Sequence, residues 1–451
     1  MIKKLFIMFM SVCMIFSFAA CRINGFNRAA DRPSSSDNKS DESSDSTKET
    51  DKTVEESEIT QKEETQPIKE TQPSTERKSD NKTSSDNKEL KADEEYAKLP
   101  ESTGFLYESN GDGTCVLKEI GKCSDKDIVI PEKSPKGEVI TNIAENAFYD
   151  AKDISSVIFA GRNMELDSNA FMSCKVEKIV ISGCNLTIDK SAFSYCDDIS
   201  SIYISNSSIN ADNYAFYDSG KKTEITIKNT TGTLDEDSFM SCGATKLNIV
   251  NSTLDFKERS FSYCEDLEDI HFENSTVNIG SYAFYDSGDD AKITFADCVI
   301  DMDDDAFQSC GATTLSITGS ETVIGQRAFS YCEDLTEVTT GANNTKIGEY
   351  AFYECTSLTK VSIAAQSDND NIKTILNDNA FSSSAVQSVV IGRGDVKIKN
   401  RAFSYCEDLK NVELKCSSLK IGSYIFYECP NELSISYNGN QYSSESFQEL
   451  K

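Results

Sequence analysis

The 451-residue chain has a formal net charge of −30 at pH 7, no tryptophan and one histidine, His271. Such an excess of carboxylates argues against nucleic acid as a partner, because phosphates need lysine and arginine. A single histidine excludes mechanisms that need two and histidine-rich metal sites, and we expect neither a metal nor another cofactor.

The amino terminus predicts export. Two lysines precede an apolar run over residues 5–20, which is too short for a secure membrane span and is typical of a signal peptide covering residues 1–20. Two alanines before Cys21 resemble a bacterial lipoprotein processing site, which implies acylation of Cys21. Ordinary secretion with cleavage near the same point is the alternative. We therefore expect a secreted, cell-surface protein that contacts the membrane only through lipidated Cys21.

Residues 21–98 form an acidic linker with almost nothing to bury. Serine, threonine, glutamine, asparagine and charged residues dominate it, and such a composition stays disordered. A flexible chain of this length spans roughly 50 Å on average, and on the order of 250 Å when fully extended. The predicted role is a tether that lifts the following domain from a membrane, and the alternative is an inert tail.

Residues 99–140 predict an amino-terminal cap. Phe105, Tyr107 and Leu117 flank the turn-forming sequence Asn-Gly-Asp-Gly at residues 110–113, which indicates a hairpin. A short strand ending at Pro131 follows it.

Residues 141–430 repeat an Ala-Phe or Ser-Phe pair, which becomes Ile-Phe in the last copy. The thirteen phenylalanines are Phe148, Phe171, Phe193, Phe216, Phe239, Phe261, Phe284, Phe307, Phe329, Phe352, Phe381, Phe403 and Phe426. The steps are 22 or 23 residues, apart from one step of 29 that adds a polar bulge near residues 366–371. A period of this size predicts a solenoid.

Each repeat has one apolar residue five positions before the phenylalanine and an apolar pair, spaced by two, after it, as in Ile202 and Ile204. The pair indicates one short, half-buried strand per coil. We expect these strands to form a parallel sheet and the phenylalanines to stack into an internal column. About thirteen coils would extend roughly 60 Å.

The unit Ile-x-x-x-Ala-Phe-x-x-Cys-x-x-Leu-x-x-Ile-x-Ile at residues 347–363 resembles the BspA-type leucine-rich repeat. The resemblance implies a leucine-rich repeat solenoid: a β-rich, right-handed stack of coils with a parallel sheet on one face and short turns or helical turns on the other. It also implies adhesion and binding to extracellular matrix, as a tendency of the family.

The residues around the phenylalanines repeat again every three coils, or 68 residues. This longer period places tyrosines in rows before and after the phenylalanines. We expect them to cover the core edge between coils, although tyrosine also suits recognition. These rows are Tyr214, Tyr282, Tyr350 and Tyr424 before the phenylalanine, and Tyr195, Tyr263, Tyr331 and Tyr405 after it.

Nine of the sixteen cysteines lie three residues after a phenylalanine, where other coils have alanine or serine. A position that accepts all three requires a small side chain, so we expect free, buried thiols there. Cys115 and Cys123 in the cap are better candidates for a disulfide, but the spacing does not decide whether either set is bridged.

The outward strand positions predict one broad polar face of mixed charge, which is where leucine-rich repeats commonly bind protein. The candidate ligand-binding residues on it are Tyr203, Thr226, Lys228, Asn248, Asp269, His271, Glu273, Lys292, Thr294 and Ser316. The alternative is a merely solvated sheet.

Three other features have simpler explanations. The tripeptide Arg393-Gly394-Asp395 resembles an integrin ligand, but it also suits a turn. Asparagines followed by serine or threonine, such as Asn206 and Asn229, match a glycosylation pattern and also turn chemistry. Acidic runs such as residues 301–305 lack the spacing of a calcium loop, so we expect solvated charge.

Residues 431–451 predict a carboxy-terminal cap in which Leu433, Ile435 and Tyr437 form a last strand, and Phe447 and Leu450 close the core. The predicted function is a surface protein that binds host or neighbouring-cell proteins, matrix or glycans. A structural spacer without a specific ligand is the alternative. A glycan-cleaving enzyme that uses Asp269 and Glu273 is the least favoured, because an open sheet offers no cleft to raise one pKa.

Overall fold

The computed structural model describes residues 96–319, 321–341, 344–364 and 371–450. Within these ranges the chain winds into a β-solenoid of about 14 turns with almost no helix, as the repeat period predicts. The predicted signal peptide, Cys21 and nearly all of the linker lie outside the described residues. In the described part, no helix is long and apolar enough to cross a membrane.

Each turn contributes one strand to each of two sheets. The first sheet contains β1 (Leu106–Ser109), β2 (Thr114–Glu119), β4 (Val139–Ile143), β6 (Asn163–Leu166), β8 (Asn185–Ile188), β10 (Ser208–Ala211), β12 (Thr231–Leu234), β14 (Thr253–Phe256), β16 (Thr276–Ile279), β18 (Val299–Met302), β20 (Glu321–Ile324), β22 (Asn344–Ile347), β24 (Lys373–Leu376), β26 (Asp395–Ile398) and β28 (Ser418–Ile421). The second sheet contains β3 (Asp127–Val129), β5 (Ser156–Ala160), β7 (Lys178–Ser182), β9 (Ser201–Ser205), β11 (Thr223–Lys228), β13 (Ala244–Val250), β15 (Asp269–Glu273), β17 (Ala291–Ala296), β19 (Ala312–Ile317), β21 (Glu337–Thr340), β23 (Lys360–Ile363), β25 (Ser388–Ile391), β27 (Asn411–Leu414), β29 (Ser434–Tyr437) and β30 (Asn440–Tyr442).

The prediction of one strand per coil was wrong, because the segment before each phenylalanine is itself a strand. In β8, for example, Leu186 and Ile188 point inward while Asn185 and Thr187 point outward. The position of Leu186 is occupied by Gly232 in β12 and by Thr345 in β22. The alternation of apolar and polar residues is therefore weaker in the first sheet than in the second.

The thirteen phenylalanines form the predicted internal column, and each is at most 7% exposed. Phe216, Phe239 and Phe261 are typical: consecutive ring centroids lie 4.4 and 4.7 Å apart and the rings are nearly parallel. The column belongs to one hydrophobic cluster that extends from Phe105 to Phe447. Because each ring is covered by the rings of its neighbours, a coil completes its core only when it is stacked.

The Ala-Phe segment bends twice, since the residues two before and two after each phenylalanine have positive φ. In one coil these are Asn169 and Ser173, with φ of 59° and 58°. The Phe171 and Ser173 N–H groups donate to the Ala192 and Ser194 carbonyls of the next coil at 2.8 and 2.9 Å. These hydrogen bonds stabilise an otherwise unfavourable backbone conformation. The residue two positions after each phenylalanine, which is Tyr195 in one coil, has this conformation.

Both caps end the stack with an antiparallel hairpin. The predicted amino-terminal hairpin is confirmed as β1 and β2. At the other end β29 pairs with β30, and helix α1 (Ser444–Gln448) places Phe447 against Phe426 with ring centroids 5.9 Å apart. The prediction that Leu450 closes the core was wrong, because Leu450 is 42% exposed.

The fourteen cysteines in the described part of the chain are free, including Cys115 and Cys123. In the repeated position the thiol bonds to backbone: the Cys196 thiol donates to the Phe171 carbonyl at 3.0 Å. Burial raises the pKa of Cys174 to about 12, which keeps it a neutral thiol. The thiols therefore act as small core side chains, as the alternation with alanine and serine predicts.

Candidate functional site

All ten predicted ligand-binding residues lie together on the outward face of the second sheet, from β9 to β19. We call this the second-sheet face. Its central column consists of residues in direct register on consecutive strands: Tyr203, Thr226, Asn248, His271, Thr294 and Ser316. Lys228 and Glu273 lie nearer the carboxyl ends of their strands, and Asp269 and Lys292 nearer the amino ends.

The charges on the second-sheet face are partly paired across the strands. Lys246 Nζ lies 3.1 Å from an Asp269 carboxylate oxygen, and His271 Nε2 lies 3.7 Å from Glu273 Oε2. Both pairs are substantially exposed, so each contributes little to stability. The arrangement offers donors and acceptors in parallel rows about 4.8 Å apart, which suits an extended or flat ligand.

The amino-terminal edge of this face is covered by the chain itself. The Tyr96 ring packs on the outward residues Ile158 and Val180 and lies 6.3 Å from the Tyr203 ring. Lys178 Nζ donates to the Tyr96 hydroxyl at 2.7 Å. Sequence reasoning missed this contact, although β5 shows a signal for it, because all five of its residues are buried and four are apolar.

A groove of about 480 Å³ adjoins the covered edge and is lined by Leu99 and Ile158 together with polar and charged residues such as Asp127, Lys178 and Ser201. A second depression of about 420 Å³ lies on the outside of the first sheet, around Asn142, Glu165 and Asn185. Both are open and shallow, so neither encloses a reacting group.

Asp269 and Glu273 lie at opposite ends of β15. They are four residues apart on β15, so their Cα atoms are about 13 Å apart at the usual strand rise. Glycosidase carboxyl groups lie within roughly 5–9.5 Å of each other. The Asp269 carboxylate also pairs with Lys246.

Arg393, Gly394 and Asp395 form the corner between β25 and β26, as turn chemistry predicts. Gly394 has φ of +93°, and a Cβ at this position would lie 2.4 Å from the Ile372 carbonyl oxygen. Asp395 begins β26 and its N–H donates to that carbonyl at 2.8 Å. The glycine is therefore required by the stacking of the coils, and only Arg393 and Asp395 are exposed.

At the equivalent corners of other coils, asparagine occupies a position with positive φ. Asn206, Asn229, Asn251 and Asn274 all have φ between 48° and 51°, a conformation that asparagine tolerates. Turn chemistry therefore explains their recurrence. Among the described residues, no group of histidine, cysteine and acidic side chains is arranged to hold a metal ion, and this includes the run at residues 301–305.

The tyrosine rows lie along the edge where the Ala-Phe segments turn from the first sheet to the second. Tyr214 and Tyr282 are partly covered, as predicted, but Tyr195, Tyr331 and Tyr405 are between 41% and 46% exposed. Covering the core edge thus explains only part of the tyrosine pattern.

Comparison with known proteins identifies the repeat. The BspA type leucine rich repeat region matches residues 121–248, 254–374 and 374–451, in six copies. No curated protein matches the chain.

Solved structures that match the chain include three bacterial proteins. A leucine-rich repeat protein from Bacteroides ovatus is 20% identical, with 74% of this chain and 92% of that chain covered and a TM-score of 0.39. A leucine rich cell surface protein from Faecalibacterium prausnitzii is 16% identical, with 72% and 95% covered and a TM-score of 0.26. The pneumococcal vaccine antigen PcpA is 12% identical, with 76% and 89% covered and a TM-score of 0.32. At these TM-scores we infer nothing about ligands from them.

The family match covers well over half of the chain, and the two-sheet coils with their phenylalanine column account for the repeat that it recognises. The chain belongs to the BspA-type leucine-rich repeat proteins.

Proposed function

We propose that this protein is displayed on the bacterial surface and binds host or neighbouring-cell surface proteins, matrix or glycans through the second-sheet face. The observation that supports the proposal most is the register of that face. From Thr226 to Ser316 the outward side chains are aligned on consecutive strands, and all of them remain partly or fully exposed. A rigid array of this kind binds without first ordering its side chains, which lowers the entropic cost of association.

The chemistry of the face favours a polar ligand. Hydroxyl, amide and imidazole groups occupy its central column, and lysines and carboxylates flank them on both sides. Such a face can form many hydrogen bonds of either direction. It therefore fits an extended protein segment or a glycan better than a small apolar molecule.

The test reverses charges on the second-sheet face of the whole chain with Lys228→Glu, Glu273→Lys and Lys292→Glu together. A matched variant reverses three outward charges of the first sheet with Lys346→Glu, Glu321→Lys and Lys397→Glu. Binding is measured on immobilised matrix proteins and mucin glycans, and attachment is measured with cells that display each variant.

We expect the second-sheet variant to lose at least tenfold in binding and the first-sheet variant to retain it. Equal binding by both variants and the parent chain would mean that this face is not the binding surface and would favour a structural spacer. Turnover on the glycan panel would instead indicate an enzyme.

Surface anchoring is part of the proposal and depends on Cys21, which lies outside the described residues. We expect Cys21→Ala to abolish incorporation of a labelled fatty acid and to release the protein into the medium. If the parent chain incorporated no fatty acid and was itself released into the medium, the protein would be secreted in the ordinary way.

A further inference from the structure

The tyrosines along the Ala-Phe edge form four equivalent clusters, which we call the tyrosine ridge. Each cluster takes one tyrosine from one coil and two from the next. The clusters are Tyr195, Tyr214 and Tyr217; Tyr263, Tyr282 and Tyr285; Tyr331, Tyr350 and Tyr353; and Tyr405, Tyr424 and Tyr427. Successive clusters are three coils apart, or about 14 Å at the usual strand spacing.

The clusters share one geometry. The Tyr195 and Tyr217 rings are perpendicular with centroids 5.5 Å apart, and the corresponding pairs in the other clusters are 5.5 to 5.6 Å apart. The outer tyrosine of each pair has a positive φ, between 58° and 61°, at Tyr195, Tyr263, Tyr331 and Tyr405. A left-handed conformation is unfavourable for a tyrosine. The core does not explain why tyrosine occupies this position, since serine does so in Ser173, Ser241 and Ser309.

Carboxylates recur at equivalent positions next to the clustered tyrosines in the sequence. They are Glu265, Asp266 and Asp286 in the second cluster, Glu333, Asp334 and Glu354 in the third, and Glu407, Asp408 and Glu428 in the fourth. The Tyr353 and Tyr427 hydroxyls donate to the Glu354 and Glu428 carboxylates. In the part of the chain that the structure describes, no lysine or arginine nitrogen lies within 4 Å of these nine carboxylates. Burial, together with the charges of Glu265 and Asp289, raises the pKa of Asp286, so its carboxylate is held in an unfavourable environment.

The first cluster differs in its charge. Lys175 Nζ lies 3.7 and 3.6 Å from the Asp197 and Asp198 carboxylates, and Lys221 Nζ lies 3.8 Å from Asp197. Cations of the chain itself therefore pair with these two carboxylates. In the described part of the chain, Arg259, Arg327 and Arg401 lie near Tyr263, Tyr282 and Tyr427 but form no ion pair with the carboxylates of the other three clusters.

We propose that the second, third and fourth clusters of the tyrosine ridge bind an extended, cationic polypeptide through its arginine or lysine side chains. The tyrosines of the second cluster are partly exposed, and Tyr331 and the three tyrosines of the fourth cluster are between 41% and 60% exposed. The face of a tyrosine attracts a cation, and a carboxylate that has no ion pair beside it supplies a charge-assisted hydrogen bond. A neutral sugar could stack on the tyrosines and donate hydroxyl hydrogen bonds to the carboxylates, but it would not neutralise their charge. An extended chain rises about 3.3 Å per residue, so a 14 Å spacing matches a cation at every fourth residue.

The test uses two 16-residue peptides of the same composition, serine with four arginines, added to the whole chain. One peptide has an arginine at every fourth position, and the other has its four arginines adjacent. Because the chain contains no tryptophan, its intrinsic fluorescence reports tyrosine directly, and calorimetry gives the affinity. We expect the spaced peptide to bind at least tenfold more tightly than the clustered one and to change the tyrosine emission.

Two variants locate the binding. Tyr263→Asn, Tyr331→Asn and Tyr405→Asn together remove the outer rings, and asparagine suits the positive φ. Glu265→Gln, Glu333→Gln and Glu407→Gln remove only exposed charges, so this second variant keeps the test valid if the first is unstable. We expect each set of substitutions to weaken binding of the spaced peptide at least tenfold.

Two matched controls exclude general attraction to an acidic protein. Glu165→Gln, Asp301→Asn and Glu321→Gln remove three charges from the outside of the first sheet, and Tyr195→Asn alters only the cluster that Lys175 and Lys221 already neutralise. Both should change the affinity less than twofold. An equal loss in the ridge and first-sheet charge variants would overturn the proposal, as would unchanged binding by the tyrosine variant. Tyrosine-dependent binding of neutral oligosaccharides but not of the peptide would also overturn it.

Discussion

Phe239 illustrates how single residues hold the stack together. Its ring lies 4.4 Å from that of Phe216 and 4.7 Å from that of Phe261, and it is 1% exposed. Phe239→Ala would leave a cavity that no neighbouring coil can fill, because the backbone bonds of the Ala-Phe segment fix the spacing. We expect a loss of about 3–5 kcal/mol in the free energy of unfolding, measured by urea denaturation. Phe426→Ala, at the less enclosed end of the column, should cost clearly less; equal losses would show that the coils adjust independently.

Asp286 should make stability depend on pH in the opposite sense to a paired carboxylate. Burial and the nearby Glu265 and Asp289 raise the pKa of Asp286 above 3.8, so the folded protein binds this proton more tightly than the unfolded chain does. Its destabilising effect is therefore fully present above the raised pKa and disappears as pH falls through it towards 3.8. We expect Asp286→Asn to raise the urea midpoint at pH 7 and the gain to shrink at acid pH.

Asp112 provides the comparison with opposite sign. Hydrogen bonds from Thr114 lower the pKa of the Asp112 carboxylate, so its contribution to stability is present at neutral pH and is lost as pH falls. Asp112→Asn should lower the urea midpoint at pH 7. If both asparagine variants shifted the midpoint in the same direction at pH 7, the difference in environment would not be the cause.

At the scale of the element, the corners between strands contain both residues that the fold requires and residues that are exposed to a ligand. Gly394 meets the Ile372 carbonyl oxygen and has a positive φ, whereas the adjacent Arg393 is exposed. We expect Gly394→Ala to cost about 1–3 kcal/mol of stability and Arg393→Ala to cost less than about 0.5 kcal/mol, measured by thermal or urea unfolding. If Gly394→Ala left the stability unchanged, the corner would be able to rearrange. The Arg-Gly-Asp tripeptide could then act as an independent loop.

The elements were only partly predictable from the sequence. The second sheet was found because its inward pairs, such as Ile202 and Ile204, are aliphatic in nearly every coil. The first sheet was missed because its strands from β6 onward have only four residues, and one of their two inward positions is occupied by Gly232 in β12 and Thr345 in β22. A four-residue alternation that tolerates glycine and threonine does not stand out from a turn.

For the whole molecule, the 22- or 23-residue repeat predicts a core shared by all coils. It does not predict contacts between segments that are far apart in the sequence. All ten residues of the second-sheet face were predicted to point outward and do so, because alternation alone decides which way a strand residue points. The contact between Tyr96 and Tyr203 joins residues more than a hundred positions apart, and no local pattern encodes it. The exposure of the tyrosine ridge likewise depends on the two left-handed turns in each coil.

The caps control whether the stack ends or continues into another molecule. Without the last segment, β27 would present the backbone groups that now pair with β29, and Phe426 would lose its contact with Phe447 of α1. An exposed strand edge of this kind pairs with other chains. We expect a chain that ends at residue 430 to form concentration-dependent oligomers in light scattering, whereas the whole chain does not.

The charge of the molecule makes this last prediction conditional on salt. At −30 the chains repel one another, and this repulsion is screened beyond roughly 10 Å at 0.1 M salt and 3 Å at 1 M salt. Association of the shortened chain should therefore increase with salt, in contrast to an association held by ion pairs. Deletion of residues 51–71, equal in length but within the linker, should leave the chain monomeric under every condition tested. If the shortened chain also remained monomeric at 1 M salt, the carboxy-terminal cap would not be what prevents the stack from continuing into another molecule.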